Sequence, residues 1–419
     1  MWVVSWAAWG LLLGELPACQ RVETPPESTP TPVAATPVPR TWIRVRLFER
    51  LTPRTLVVRG ELVVRSNGLE ERQAPRVRLS ATDSLVQVDG QAFYDVVTLE
   101  PLGGDLWIDP GGHYERRVRG ILEIRADEDV LVVVARVGLE DYVAGVIAAE
   151  LTHGSTEALR AQAVIARTFA LRERGRHGWY DACDLTHCQV FKGEAGEPYQ
   201  AAAQDTAGWI LSADGCRPAH VYYSSTCGGH TASFRTIWPS RSAPRYLVGV
   251  PDLTLSGVPW CRASPHMHWT FRIRAIMLAS ILEDTYGVAP EEPLRLTLVH
   301  GTGGWVARVK VAGIPDYITG EAFHRLMARQ FGWGQFKSAW FRLTRSGTGD
   351  DGDTLVFEGR GLGHGVGLCQ YGADAMSRAG LGWRAILEHY FPRLRVMSWP
   401  GTCADQGSPP PGQTSAGGE

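Results

Sequence analysis

The hydrophobic period of this chain changes abruptly at Leu139. Upstream, from Trp42 to about Val137, short runs of β-branched and alternating residues recur between Gly, Asn and Asp, as in Trp42-Ile43-Arg44-Val45-Arg46-Leu47 and Leu131 to Val134. Downstream, the run from Leu139 to Leu151 follows helical spacing, with Glu140 and Asp141 in the first turn where they favour the helix dipole. A strand-period portion followed by helices implies an α+β fold with a β-rich N-terminal region and a mixed helix/strand core. His153-Gly154 is expected to end the first helix. Ser155 is placed to cap a second, which runs to Gly175 with Ala, Val, Ile and Phe on its buried side.

After a Cys/His-containing loop come strand-like runs and a Gly-rich turn, from Ala219 to Ser233. Between Trp269 and Arg345 the pattern gives helices near Ala275 to Tyr286 and Gly320 to Gln330 around strands such as Trp305 to Ala312, which reads as a subdomain inserted at about residues 269–346. The last folded part opens with a glycine-rich stretch, Gly359 to Gly367, and closes with a helix near Trp383 to Tyr390, stopped before Pro392. No internal repeat is visible.

The two ends are different. The first nineteen residues, 1–19, hold an apolar stretch too short to span a membrane and ending in small residues, which reads as an export signal. Leu16-Pro17-Ala18-Cys19 is similar to a lipoprotein signal that would leave a lipid anchor on Cys19. A plain secretory signal and an unprocessed cytoplasmic start are the alternatives. Residues 20–41 form a Pro/Thr-rich linker and residues 399–419 a tail of disordered composition. A net charge of -2 argues against broad nucleic-acid binding.

Glu150 is the most informative carboxylate. It lies three and seven residues after Ile147 and Val143, hence on the apolar stripe of the first helix, where desolvation disfavours its charged form and readies it to donate a proton near neutral pH. The plain structural alternative is a helix-end Glu paired with Arg160 or Arg167. Those two arginines, seven apart on the second helix, share a face. Gly359 to Gly367 lacks the Gly-Lys-Ser/Thr of a phosphate loop and the companions of a dinucleotide fingerprint.

The runs VGLEDYVAGVIAAEL and ALRAQAVIARTFAL, followed in order by CQVFKG, VYYSSTCGGHTAS and GRGLGHGVGLCQYGADAM, resemble the SpoIID/LytB family, over a span from about Tyr114 to Pro392. The resemblance divides the chain into a β-rich region, 42–113, and a family-like domain, 114–398. It implies lytic transglycosylation of peptidoglycan glycan strands stripped of peptide stems, in the cell envelope, with Glu150 as general acid and then base and no protein nucleophile. It also implies sugar contacts from Arg160, Arg167, Gln189, Tyr222, Tyr223 and Ser225. Arg160 and Arg167 would grip lactyl carboxylates, or else serve as structural arginines. The glycine-rich stretch would let backbone pass close to a sugar chain, with His364 and Gln370 lining it, or form a structural turn with a satisfied His.

Some members of the family bind zinc. The ligand types here, His177, Cys183, His187 and Cys188, suit a closed tetrahedral site, against the alternative of a Cys183 to Cys188 disulfide. Cys227 and Cys261 are expected to form a disulfide in the portion where the family often carries a Cys pair, and Cys216 is matched with Cys403 as a guess. A competing function within the family is a glycan-binding modifier that stimulates an amidase. A zinc hydrolase is disfavoured because four protein ligands leave no place for catalytic water.

Overall fold

A computed structural model describes residues 41–67, 69–90, 92–152, 154–239, 242, 244–346 and 353–400. The stretch expected to be an export signal, Cys19, the Pro/Thr-rich stretch up to residue 40, His153, Cys403 and the tail beyond Pro400 lie outside the described residues.

The alternating N-terminal runs form one large sheet. Trp42–Leu47 alternates half-buried and buried positions, and it pairs antiparallel with Val130–Gly138, which in turn pairs with Gly120–Asp127. Alternation places Ile43, Val45 and Leu47 on the core face, where they meet Val133, Ala135, Leu122 and Ile124. The sheet runs across residue 113 without a break, because Leu106–Asp109 pairs with Arg116–Val118 and Val96–Pro101 pairs with Gly120–Asp127. It continues to Gly138. At its edge the short strand Ala182–Cys183 adds parallel to Trp42–Leu47 and so ties the Cys/His loop to the sheet.

Val130–Gly138 leads directly into α1 (Leu139–Glu150), and Gly138 occupies the N-cap without a capping side chain. Tyr142 through Ile147 are all buried, so α1 is a core helix apolar nearly all round. α2 (Thr156–Arg172) packs beside it and ends three residues before Gly175. Ser155 does stand at its N-cap, but its hydroxyl makes no capping bond. It donates instead to Asp374 Oδ1 at 2.7 Å. α3 (Tyr199–Asp205) closes the group against α1 and α2.

Arg167 holds these helices together. Its guanidinium is fully buried, with Nε donating to Glu140 Oε1 at 2.9 Å, Nη2 to the Ala203 carbonyl at 2.9 Å and Nη1 to the Trp209 carbonyl at 3.1 Å. One side chain therefore joins the first turn of α1, the body of α2, the end of α3 and the strand Trp209–Ser212.

The other face of α2 belongs to a second core, containing Val164, Ile165, Trp305, Leu368, Met376 and Phe391. In order, α4 (Phe234–Ile237), α5 (Ala275–Tyr286), α6 (Gly320–Phe331), α7 (Gln370–Arg378) and α8 (Trp383–Tyr390) complete the helices among the described residues. The long run expected from Ala219 to Ser233 is a strand only at Tyr223–Ser224, which pairs parallel with Leu368–Cys369. Gly367 permits that pairing: its φ is +80°, and a Cβ there would overlap the Tyr222 carbonyl. A third core groups α5 and α6 with the strands between Trp269 and Gly359, around Phe323, Phe336, Phe341 and Phe357. It reaches past residue 346 because Thr354–Gly359 is the middle strand of its sheet.

Arg167→Met is expected to lower stability by about 3 kcal/mol or more, because it strands the Glu140 carboxylate against buried carbonyls. Arg160 pairs with Glu157 and Asp205 nearer the surface, so Arg160→Ala is expected to cost under about 1 kcal/mol. Urea unfolding of both variants checks the pair; equal effects would remove the distinction.

Candidate functional site

Glu150 is the last residue of α1, and three contacts fix it. Its Oε1 accepts the Val190 N–H at 2.8 Å, its carboxylate bonds the Tyr223 hydroxyl, and its backbone carbonyl accepts Gln370 Nε2 at 3.0 Å. Val190 reaches it because residues 191–193 pack closely on α1 at Gly145, where a Cβ would overlap Phe191 and the Gly193 carbonyl. Burial pushes the Glu150 carboxyl above its ordinary range, and the Val190 N–H, the Tyr223 hydroxyl and the Lys192 charge pull it only partly back. Neither Arg160 nor Arg167 pairs with it, since both have carboxylate partners of their own.

Two clefts meet at Glu150. The first, of about 420 Å³, is lined by Phe169, Tyr222, Tyr223, Trp238, Gly363 and His364, with Thr186, His187 and Cys188 at its side. The second, of about 280 Å³, is lined by Thr152, Ser225, Gln370, Tyr371, Asp374 and Arg378. Tyr222, Tyr223, Ser225, His364 and Gln370 are therefore brought together around Glu150. Gln189 is buried behind them, accepting the Tyr142 hydroxyl at 3.2 Å.

Arg160 and Arg167, expected from the sequence to face a ligand, line neither cleft. Arg167 has no exposed surface, and Arg160 turns toward Asp205 on α3. The residues that the sequence reading missed, Asp374 and Arg378, follow Gln370 at four-residue intervals on α7, and that spacing could have revealed a shared face. Burial would raise the Asp374 carboxyl, but its ion pair with Arg378 and its bonds to Ser155 outweigh this and hold it below the usual range. Both of its oxygens are engaged: Oδ1 by the Ser155 N–H and hydroxyl, Oδ2 by Arg378 Nε at 2.8 Å.

His364 is a neutral fixture. Its Nδ1 accepts the Val366 N–H at 3.0 Å, and burial holds its imidazole down at about 4. Burial, followed by the nearby Glu150 charge, keeps the Tyr223 phenol well above its ordinary value, so it acts as a donor. Of the glycine-rich stretch only Gly363 and His364 border the first cleft; Gly361, Gly365 and Gly367 make room for Thr226, Trp305 and Tyr222.

The His/Cys residues also converge. His177, His187 and Cys188 offer ligand atoms within 4.8 Å of one another; Cys183 Sγ lies 3.2 Å from His187 Nε2 and 3.4 Å from Cys188 Sγ. Both cysteines are free thiols, and two sulfurs and two nitrogens are donor types that zinc takes, with Cys183 standing outside the group of three whose ligand atoms all lie within 4.8 Å of one another. The loop has a further anchor that the sequence reading did not find. Asp181 accepts the Arg44 N–H at 2.9 Å and Asp184 the Phe48 N–H at 2.9 Å, stapling it to the edge of the sheet.

The other cysteines differ from expectation. Cys227 and Cys261 are free thiols with sulfurs 3.8 Å apart, and Cys369 is a third buried thiol beside them. Cys216 is disulfide-bonded, and Cys403, the partner suggested for it from sequence, lies outside the described residues.

Comparison with known proteins finds the family model SpoIID, described as Stage II sporulation protein, at residues 127–212, a span that holds α1, α2 and the His/Cys loop. Stage II sporulation protein D of Bacillus subtilis is 28% identical over 285 residues, covering 63% of this chain and 75% of its own length. An uncharacterized protein of Brachyspira hyodysenteriae is 26% identical over 278 residues, covering 65% of this chain and 70% of its own. The amidase enhancer of Bacillus subtilis is 24% identical over 291 residues, covering 58% of this chain but 38% of its own.

The environment of Glu150 generates a pH-dependent stability effect. Its folded value is raised, so as pH climbs past the unfolded value of about 4.3 the unfolded chain ionises first and the fold loses stability until the folded value is passed. Glu150→Gln removes that penalty. The variant is expected to match wild type near pH 4 and to melt at higher temperature at pH 7 and above; a melting temperature lowered throughout would contradict a desolvated carboxyl.

Proposed function

We propose that this protein is a member of the SpoIID family and cleaves peptidoglycan glycan strands as a lytic transglycosylase, with Glu150 as general acid and then base. The observation that carries the reading is a desolvated carboxyl standing where two clefts meet. A glycan must extend to both sides of its scissile bond, and Glu150 is reachable from both clefts.

A protonated Glu150 donates to the glycosidic oxygen as the bond breaks and positive charge develops at the anomeric carbon. The resulting carboxylate then takes the proton of the sugar's own 6-hydroxyl as that oxygen closes on the anomeric carbon, giving a 1,6-anhydro product. The carboxylate is awaited by donors already in place, the Val190 N–H and the Tyr223 hydroxyl, so little reorganisation accompanies the proton transfer. A second carboxylate is not needed for this chemistry. Asp374, in the second cleft, has both oxygens committed to Ser155 and Arg378 and is poorly disposed to act as nucleophile.

In this reading Tyr222, Trp238 and Phe169 offer apolar faces to sugar rings, while Ser225, Gln370 and Tyr371 offer hydrogen bonds. Arg378, exposed at the second cleft, is better placed than Arg160 or Arg167 to meet a lactyl carboxylate. Action on peptidoglycan implies export, consistent with the apolar N-terminus; Cys19 is the residue a lipid would modify. The relative named amidase enhancer supports a second reading, a glycan-binding stimulator of an amidase, in which Glu150 would have no proton to transfer.

Glu150→Gln decides between them. Digestion of peptide-free glycan strands, followed by mass analysis, is expected to yield 1,6-anhydro ends with wild type and a rate lower by about 10²-fold or more with the variant. Activity within a few-fold of wild type would eliminate Glu150 as catalyst.

We further propose that His177, Cys183, His187 and Cys188 hold a structural zinc. It would clamp the loop that ends in Gln189 and Val190, the residues that touch Tyr142 and Glu150. Chelation is expected to lower thermal stability and to reduce activity only through the loosened loop. A Cys183 to Cys188 disulfide found by peptide mapping would overturn this.

A further inference from the structure

A second group of metal-ligating atoms lies outside the clefts just described. Cys227, Asp252, Cys261 and Cys369 are all buried, and their ligand atoms lie within 4.8 Å of one another. They come from four separate segments. Cys227 follows the strand Tyr223–Ser224, Cys261 sits in the 3-10 turn Trp260–Ala263, Cys369 immediately precedes α7, and Asp252 lies in the loop between α4 and that turn.

Three observations point to a cation here. The first is spacing. Zinc–sulfur bonds of about 2.3 Å in a tetrahedron put sulfurs about 3.8 Å apart, and Cys227 and Cys261 stand at 3.8 Å. The second is the arrangement around Asp252. Its Oδ1 accepts the Tyr390 hydroxyl at 2.7 Å and has His389 Nε2 at 3.7 Å, while its Oδ2 faces Cys227 Sγ at 3.1 Å. One oxygen is thus steadied by outer partners and the other is aimed into the cluster, as metal-ligating carboxylates commonly are. The third is the donors that meet the sulfurs. The Cys227 N–H points to Cys369 Sγ at 3.3 Å, and the N–H groups of Gly228 and Gly229 bond Cys261. Such bonds spread the charge of bound thiolates in an interior where unpaired charge is costly.

The number of cysteines agrees. Cys227, Cys261 and Cys369 are three buried thiols in mutual contact, none of them bridged. An odd number of cysteines in one buried cluster leaves any disulfide with an orphan thiol, whereas three thiolates and a carboxylate complete a four-coordinate shell.

We propose that Cys227, Cys261, Cys369 and Asp252 bind a structural zinc ion, sharing no ligand with the His177, Cys183, His187 and Cys188 cluster. Its shell is closed, with no open position for substrate or water. Its place in the fold gives it a task. It joins the segment carrying Tyr223 and Ser225 to the start of α7, which carries Gln370, and so ties together the two walls that meet at Glu150. The site stands whether or not the proposed glycan cleavage does, because its readout is metal content.

The test is metal analysis of full-length protein, expressed with ample zinc, by elemental mass spectrometry and native mass spectrometry. A Cys183→Ser/Cys188→Ser variant is expected to retain one zinc per chain, and adding Cys369→Ser is expected to remove it. Asp252→Asn, which keeps the shape and loses the charge, is expected to weaken retention against a chelator by about tenfold or more. No zinc in the Cys183→Ser/Cys188→Ser variant would overturn the proposal. If that variant does not fold, X-ray absorption of the wild-type protein decides: an average zinc shell richer in sulfur than two sulfurs and two nitrogens supports the site. A Cys227 to Cys261 disulfide mapped in wild-type protein excludes it.

Discussion

The site depends on one constraint: a carboxyl group placed at the end of a helix that is otherwise buried. α1 has almost no wet face, so its last residue emerges into a cleft with apolar packing directly behind it. Water is scarce at such a position, and the charged form of Glu150 must draw its stabilisation from the protein. The Val190 N–H and the Tyr223 hydroxyl supply it, and the surrounding architecture can be understood as what brings those two donors to that point.

Each donor has its own chain of causes. Val190 arrives because the preceding loop is tied to the sheet edge by Asp181, Asp184 and the strand Ala182–Cys183, and because Gly145 lets residues 191–193 lie close on α1. Tyr223 arrives through a two-residue parallel pairing with Leu368–Cys369, which Gly367 makes sterically allowed. The same pairing sets Gln370 at the start of α7, within reach of the Glu150 carbonyl. Arg167 then fixes the angle between α1 and α2 by bonding Glu140 at the opposite end of the same helix from Glu150. Two arginines seven residues apart on one helix therefore have unequal weight: Arg167 is an interior brace, and Arg160 a surface pair.

The cysteines show how poorly pair counting describes a buried cluster. Cys227 and Cys261, read from the sequence, suggest one disulfide, and nothing local to either position brings Cys369 or Asp252 into view. The fold gathers all four because α7, the 3-10 turn and the glycine turn after Cys227 pack on one another. Cys183 and Cys188, in contrast, are close in sequence, and His177 and His187 lie with them within twelve residues.

What the sequence determined by itself is local and periodic. The change of period at Leu139 marked the passage from sheet to helix, and three-and-seven spacing set Glu150 in line with Ile147 and Val143, both buried on α1. The turn from α1 to α2 and the α8 stop before Pro392 follow from the same local preferences. Tertiary structure decided the partners. Whether Arg167 faces a ligand or Glu140, whether Ser155 caps its helix or bonds Asp374, and whether Gln370, Asp374 and Arg378 stand opposite Tyr223 are matters of contacts between residues far apart in the chain. A helical period says which side of an element is buried. It cannot say against what, because that depends on which other faces the packed core leaves available.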